Sequence, residues 1–86
     1  QYEEALAAYR EELADSPGHA GALSGLGHVL KTIGRTDEAI EALERVTELI
    51  PGNSKAYYTL GVLFDKKNLP DKAAVMYRKA RKLSES

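Results

Sequence analysis

The sequence contains no cysteine, and only three of its 86 residues are proline. Without cysteine, neither a disulfide framework nor a thiolate metal site can form. No apolar run approaches the roughly 20 residues that a helix needs to span a bilayer, so we expect no membrane insertion. The lack of cysteine is compatible with a cytoplasmic location, which we expect. Because the chain begins with Gln1 rather than Met, we expect it to be part of a longer protein.

Its composition is typical of one folded domain with an uneven charge distribution. Hydrophobic residues make up 43% and charged residues 29%, which argues against disorder. The net charge is −1, yet residues 1–50 contain ten acidic and four basic side chains, whereas residues 51–86 contain three acidic and eight basic ones. Opposite fields at the two ends favour weak head-to-tail association between copies of the chain.

The sequence repeats itself when it is shifted by 34 residues. This shift aligns Leu26-Gly27 with Leu60-Gly61, and alanine recurs three times, at Ala5, Ala39 and Ala73. A period of this length is typical of helical-repeat proteins.

Apolar residues within each period recur every three or four positions, which places them on one face of an α-helix. Leu23, Leu26 and Leu30 form one such stripe. Proline, glycine and asparagine separate the stripes. Proline cannot continue a helix, whereas glycine and asparagine tolerate the left-handed conformation that ends one. The pattern predicts five helices, near 1–15, 20–33, 37–50, 54–67 and 71–84.

Gly27 and Gly61 fall inside predicted helices and lie one repeat period apart. Glycine in a helix costs roughly 1 kcal/mol relative to alanine. A cost that recurs at the same position of the period indicates that a neighbouring helix leaves no room for a β-carbon. We expect the small side chains of Ala39, Ala73 and Ala80 to be in close contacts for the same reason.

Together these residues resemble the tetratricopeptide repeat. Each unit of that family has a large residue, then Leu-Gly and an aromatic residue in its first helix, followed by Ala, an aromatic residue, Ala and Pro. The second unit of this chain matches at Leu23, Leu26, Gly27, Leu30, Gly34, Ala39, Leu43, Val46 and Pro51. The third matches at Tyr57, Leu60, Gly61, Phe64, Ala73, Tyr77 and Ala80, and a first half unit at Tyr2, Ala5, Tyr9 and Pro17.

The resemblance implies an all-α fold of antiparallel helix-turn-helix repeats, stacked as an α-solenoid with the right-handed superhelix of that family. One domain would span 1–86, divided into a half repeat (1–19) and two full repeats (20–53 and 54–86). In the family, the first helix of each unit lines a concave groove that binds a peptide or helix of a partner protein. Carried over by position, the groove residues are Ser24, His28, Lys31, Lys55, Tyr58, Thr59, Val62 and Asp65.

Within this predicted groove, Tyr58 is the expected anchor, because a tyrosine supplies contact area and a hydroxyl at little entropic cost. Gly21 and Gly25 are expected to leave shallow space for a partner side chain. Family members that bind the C-terminal carboxylate of a chaperone use several Lys, Asn and Arg side chains. This chain matches that set only at Lys55, which argues against such a clamp.

Catalysis, metal binding and nucleic-acid binding have little support. Ser24 and His28 share a helix face, but the amides inside a helix are already hydrogen-bonded and cannot form an oxyanion hole with them. The two histidines lack the spacing of metal ligands, and no motif predicts a cofactor. The basic residues of the last helix are not interleaved with exposed aromatic residues that could stack on bases. We expect no catalytic residues, no metal and no nucleic-acid partner.

These observations predict a module for protein–protein interaction, with two alternatives left open. The chain could be a substrate-positioning or regulatory arm of a larger enzyme, because residues 26–35 resemble arrays carried by bacterial transferases. It could also be a scaffold for self-assembly, because its two ends carry opposite charge.

Overall fold

The computed structural model describes residues 1–85, and this part of the chain forms five α-helices and no strand. Every helix agrees with its predicted range to within one residue at each end. The all-α class is therefore confirmed. The helices are α1 (Tyr2–Asp15), α2 (Ala20–Thr32), α3 (Thr36–Leu49), α4 (Ser54–Lys66) and α5 (Pro70–Glu85).

The helices are joined by connections of three or four residues, and each packs against the next one along the chain. Connections this short make consecutive helices antiparallel neighbours. The result measures 33 × 27 × 16 Å. None of the helices within residues 1–85 combines the length and the apolar character needed to cross a membrane.

The first helices of the two full units end in the same backbone motif. Gly34 and Asn68 both have a positive φ, of 84° and 58°, and each lies two residues after the last residue of its helix. The next residue then donates its N–H to a carbonyl five residues back, from Arg35 to Leu30 and from Leu69 to Phe64, at 2.9 Å in both cases. This is the Schellman motif, in which Asn68 takes the left-handed conformation that glycine takes at position 34.

The same two helices also begin alike. The Ala22 N–H donates to Nδ1 of His19 at 3.0 Å, and the Ala56 N–H donates to Oδ1 of Asn53 at 3.1 Å. Each side chain satisfies an amide that has no partner within the helix. The two caps lie one repeat period apart, so the starts of α2 and α4 are set by equivalent side chains.

The interior is apolar, with no buried polar or charged side chain among the described residues. Gly27 and Gly61 allow close packing of the helices, as predicted. A β-carbon at Gly27 would lie 2.9 Å from Cγ of Leu43, and one at Gly61 would lie 2.5 Å from Cε1 of Tyr77. Ala39, Ala73 and Ala80 are buried as well, which confirms that small residues bring these helices together.

Candidate functional site

A cleft of about 330 Å³ lies between α2 and α4, with α3 at its base. We call it the α2–α4 cleft. Leu43 and Ala56 are buried and form its apolar floor, while His28 and Lys55 are exposed at its edge. Four of the eight predicted groove residues meet here, although they come from two different repeats. The lining residues are Ser24, Gly25, His28, Leu43, Asn53, Lys55, Ala56 and Thr59.

A second cleft, of about 570 Å³, lies between α4 and α5. We call it the α4–α5 cleft. Tyr58 is its most prominent side chain, with 57% of its surface exposed, and its ring centroid lies 5.5 Å from that of Tyr77. Lys55 lines this cleft as well as the first one. The lining residues are Ser54, Lys55, Tyr58, Tyr77, Ala80, Arg81 and Ser84.

The hydroxyl of Tyr77 donates a hydrogen bond to Oδ2 of Asp65 at 2.9 Å. Partial burial raises the pKa of Tyr77 above its ordinary value, and the hydrogen bond to Asp65, the charge of that carboxylate and the neighbouring Tyr58 raise the pKa further. The hydrogen bond to Asp65 therefore restrains the side chain of Tyr77, which lines the α4–α5 cleft.

The structure distributes the predicted groove residues unevenly. Ser24, His28, Lys55 and Thr59 line the first cleft, and Lys55 and Tyr58 line the second. The other three, Lys31, Val62 and Asp65, line neither cleft, and their part in binding stays a prediction.

The expectation that Gly25 leaves space for a partner side chain is wrong. A β-carbon at Gly25 would lie 2.4 Å from Cζ of Tyr9, because the ring of Tyr9 crosses from α1 and packs against α2. At Gly21 the added carbon would lie 3.1 Å from Cε1 of His19, the imidazole that caps α2. Side chains of this chain occupy the space at both glycines.

Several cleft residues were missed by reasoning from the sequence, which assigned the groove to first helices alone. Asn53 lies in the turn before α4, and Ser54 is the first residue of that helix. Arg81 lies in α5, which is the second helix of its repeat. The sequence contains a run of basic residues around Arg81, but their spacing along the helix did not indicate which of them faces α4.

The arrangement offers hydroxyl, amide and cationic groups around an apolar floor, which suits the binding of a peptide chain. Ser24 and His28 line the same cleft, whereas the carboxylate of Asp65 accepts the hydrogen bond of Tyr77. Across residues 1–85 there is no group of three or more His, Cys, Asp or Glu side chains that could hold a metal ion.

Comparison with known proteins connects this architecture to a family. A family model described as Tetratricopeptide repeat matches residues 1–60, and a second with the same description matches residues 54–86. The chain is 31% identical over 85 residues to anaphase-promoting complex subunit 3 of Schizosaccharomyces pombe, and 45% identical over 47 residues to cellulose synthase operon protein C of Pseudomonas fluorescens. It spans 13% and 4% of these two proteins.

Among solved structures, MamA superimposes with a TM-score of 0.95 at 32% identity, covering 98% of this chain and 49% of that one. YrrB, described as a TPR protein with an unusual peptide-binding site, superimposes with a TM-score of 0.92 at 29% identity, covering 100% of this chain and 44% of that one. These likenesses confirm the helical-repeat solenoid. With two family models that together match residues 1–86, the chain belongs to the tetratricopeptide repeat family.

Proposed function

We propose that this chain binds an extended or helical segment of a partner protein along the groove that α2 and α4 form. The observation that carries the proposal is the α2–α4 cleft, which gathers Ser24, His28, Lys55 and Thr59 from two repeats around the apolar floor. Apolar clefts with a few convergent polar groups are the usual form of a binding site. The peptide-binding site described for YrrB is consistent with this use of the fold.

Tyr58 is the proposed anchor for the partner. More than half of its side chain is exposed, yet its ring rests against Tyr77, so a partner would cover an aromatic surface that is already held in place. Tyrosines of this kind often contribute a large share of binding energy at interfaces. Lys55, which lines the α4–α5 cleft with Tyr58 and also lines the α2–α4 cleft, would add a charge that selects among partners.

The proposal can be tested by affinity capture from lysate of the source cells. The bait would be the native chain or a variant with Lys55→Glu and Tyr58→Ala, with a matched control carrying Lys66→Glu and Tyr2→Ala. Lys66 and Tyr2 are exposed and lie outside both clefts. We expect one protein to be retained by the native and control chains and lost from the cleft variant, with equal helicity by circular dichroism. Equal capture by all three would contradict the proposal.

A second candidate function is that of a positioning or regulatory arm in a larger enzyme. The similarity to cellulose synthase operon protein C, at 45% identity over 47 residues, favours it. Determining the coding sequence on both sides of these residues tests the idea. A catalytic domain in the same protein is the expected finding, and only further repeats would argue for a dedicated binding protein.

The third candidate function is self-assembly through the oppositely charged ends. Acidic residues occupy the first turn of α1, at Glu3 and Glu4, whereas α5 carries Arg78, Lys79 and Arg81. These helices pack against different neighbours, α2 and α4. Light scattering at low and high salt should show association that salt weakens, since screening acts on exposed charges. A monomer at every salt and protein concentration would rule it out.

A further inference from the structure

We infer that the partner segment carries an acidic side chain within its sequence, placed to pair with Lys55, and one apolar side chain on each side of it to enter the two clefts. The inference rests on the proposed function, because it describes the ligand of the same site. The carboxylate that pairs with Lys55 would belong to a side chain in the interior of the partner segment, not to the end of the partner chain.

Two cationic side chains, Lys55 and Arg81, line the clefts, and none of the lining residues is acidic. Within residues 1–85, no carboxylate lies in ion-pair distance of either side chain. The clefts therefore present positive charge that a partner can complement.

The donor groups of Asn53 and Ser24 in the α2–α4 cleft lead to the same preference. Oδ1 of Asn53 already accepts the N–H of Ala56, so the rest of that amide offers N–H donors. The hydroxyl of Thr59 already donates to the carbonyl of Lys55, whereas that of Ser24 can donate to a ligand. With the ammonium of Lys55 beside them, these donors suit an acceptor group, and a carboxylate accepts from several donors at once.

The position of Lys55 decides between an internal carboxylate and a terminal one. Lys55 lines both clefts, so a segment that fills both must pass across it. A chain that ended in a carboxylate at Lys55 would leave one of the two clefts empty. The floor of Leu43 and Ala56 on one side and the rings of Tyr58 and Tyr77 on the other each offer apolar surface. An acidic residue flanked by apolar residues matches this order.

Peptide display provides the test, because it needs no knowledge of the natural partner. An extended chain covers at most about 3.3–3.6 Å per residue, so about ten residues span the longest dimension of the fold, which is 33 Å. A phage library of random peptides of this length would be selected on the native chain. We expect the selected peptides to share one aspartate or glutamate between two apolar residues.

Selected peptides would then be synthesised with both ends blocked and measured by fluorescence anisotropy. Replacing the shared acid by its amide should weaken binding about twofold to fivefold, as expected for an exposed ion pair. Lys55→Met should weaken it by a similar factor, and combining both changes should add little more, since they remove the same interaction. Lys66→Met, the matched control at an exposed site outside the clefts, should leave binding unchanged.

The possible outcomes separate this inference from the proposed function. If peptides are selected but lack a shared acid, or bind the Lys55→Met variant as tightly as the native chain, the inference is wrong and peptide binding stands. If a selected peptide binds only when it is synthesised with its C-terminal carboxylate unblocked, the inference is also overturned. If selection yields no peptide that binds the folded chain, the proposed function fails with it.

Discussion

The ring of Tyr77 occupies the place that a side chain on Gly61 would need. A β-carbon there would lie 2.5 Å from Cε1 of Tyr77, whereas carbon atoms in favourable contact are about 3.5–4.0 Å apart. The same ring supports Tyr58, and its hydroxyl donates to Asp65. Because Tyr77 and Tyr58 both line the α4–α5 cleft, the absence of a side chain at Gly61 positions one wall of that cleft.

Gly61→Ala should therefore destabilise the chain despite the better helix propensity of alanine. Overpacking in a core costs about 1–3 kcal/mol, and the gain in propensity is about 1 kcal/mol, so we expect a net loss of up to about 2 kcal/mol. Urea denaturation followed by circular dichroism measures it. Gly52→Ala is the control, because nothing lies within 4 Å of the added carbon. Equal urea midpoints for Gly61→Ala and Gly52→Ala would contradict the close contact between Gly61 and Tyr77.

The shifted pKa of Tyr77 predicts a loss of stability at high pH. The pKa is raised from 10.0, chiefly by burial and then by Asp65, so the folded chain keeps this proton to a higher pH than the unfolded chain. The contribution of Tyr77 to the free energy of unfolding is complete below its pKa in the unfolded chain. This contribution is lost as the pH rises from about 10 through its pKa in the folded chain.

This pH dependence can be separated from that of the other tyrosines with Tyr77→Phe. Urea midpoints at neutral and alkaline pH would be compared for the native chain and the variant. The native chain should lose more stability on going above pH 10 than the variant does, because the variant has no phenol at this position. Parallel losses would show that Tyr77 titrates alike in the folded and unfolded states.

The cap of α4 predicts a selective effect at Asn53. Its Oδ1 accepts the Ala56 N–H at 3.1 Å, and removing such a cap costs about 0.5–2 kcal/mol. Asn53→Ala should lower the free energy of unfolding by that amount, while Asn53→Asp should retain stability because aspartate caps equally well. Chemical denaturation of the three chains decides the matter. A loss of the same size in both variants would mean that the side chain acts in some other way.

Leu6 provides a test of how α1 is attached. Its side chain is fully buried, whereas Ile50 is 44% exposed. Leu6→Ala should cost about 2–5 kcal/mol, because it removes a buried side chain and leaves a cavity. Ile50→Ala, the control, should cost far less. Amide hydrogen exchange should show the loss of protection concentrated in α1, and uniform loss along the chain would contradict local attachment.

Much of the fold could be predicted because its determinants are local and occur twice. The ends of α2 and α4 depend on backbone preferences at Gly34 and Asn68, and these preferences act over a few residues. The contact at Gly61 could be anticipated because the same glycine recurs at Gly27, where no local reason for it exists. Repetition thus allowed a tertiary contact to be inferred from the sequence.

The clefts could be predicted only in part. Ser24 and Thr59, which were assigned to the groove by their position in the repeat, line the same cleft. Position in the repeat did not indicate that Tyr9 would fill the space beside Gly25, because that contact joins two repeats and depends on the rotamer of a long side chain. Nor did it indicate that Arg81 of α5 would line a cleft with Lys55.

The sequence by itself determined the helices, their bounds and the small residues at which they pack, since helical periodicity and end signals act within single segments. Only the tertiary structure decided that Lys55 lines both clefts and that Tyr77 joins Asp65 to Tyr58. The width of a cleft and the side chains that reach it depend on the distance and angle between packed helices. These are properties of the assembled chain, and no single helix specifies them.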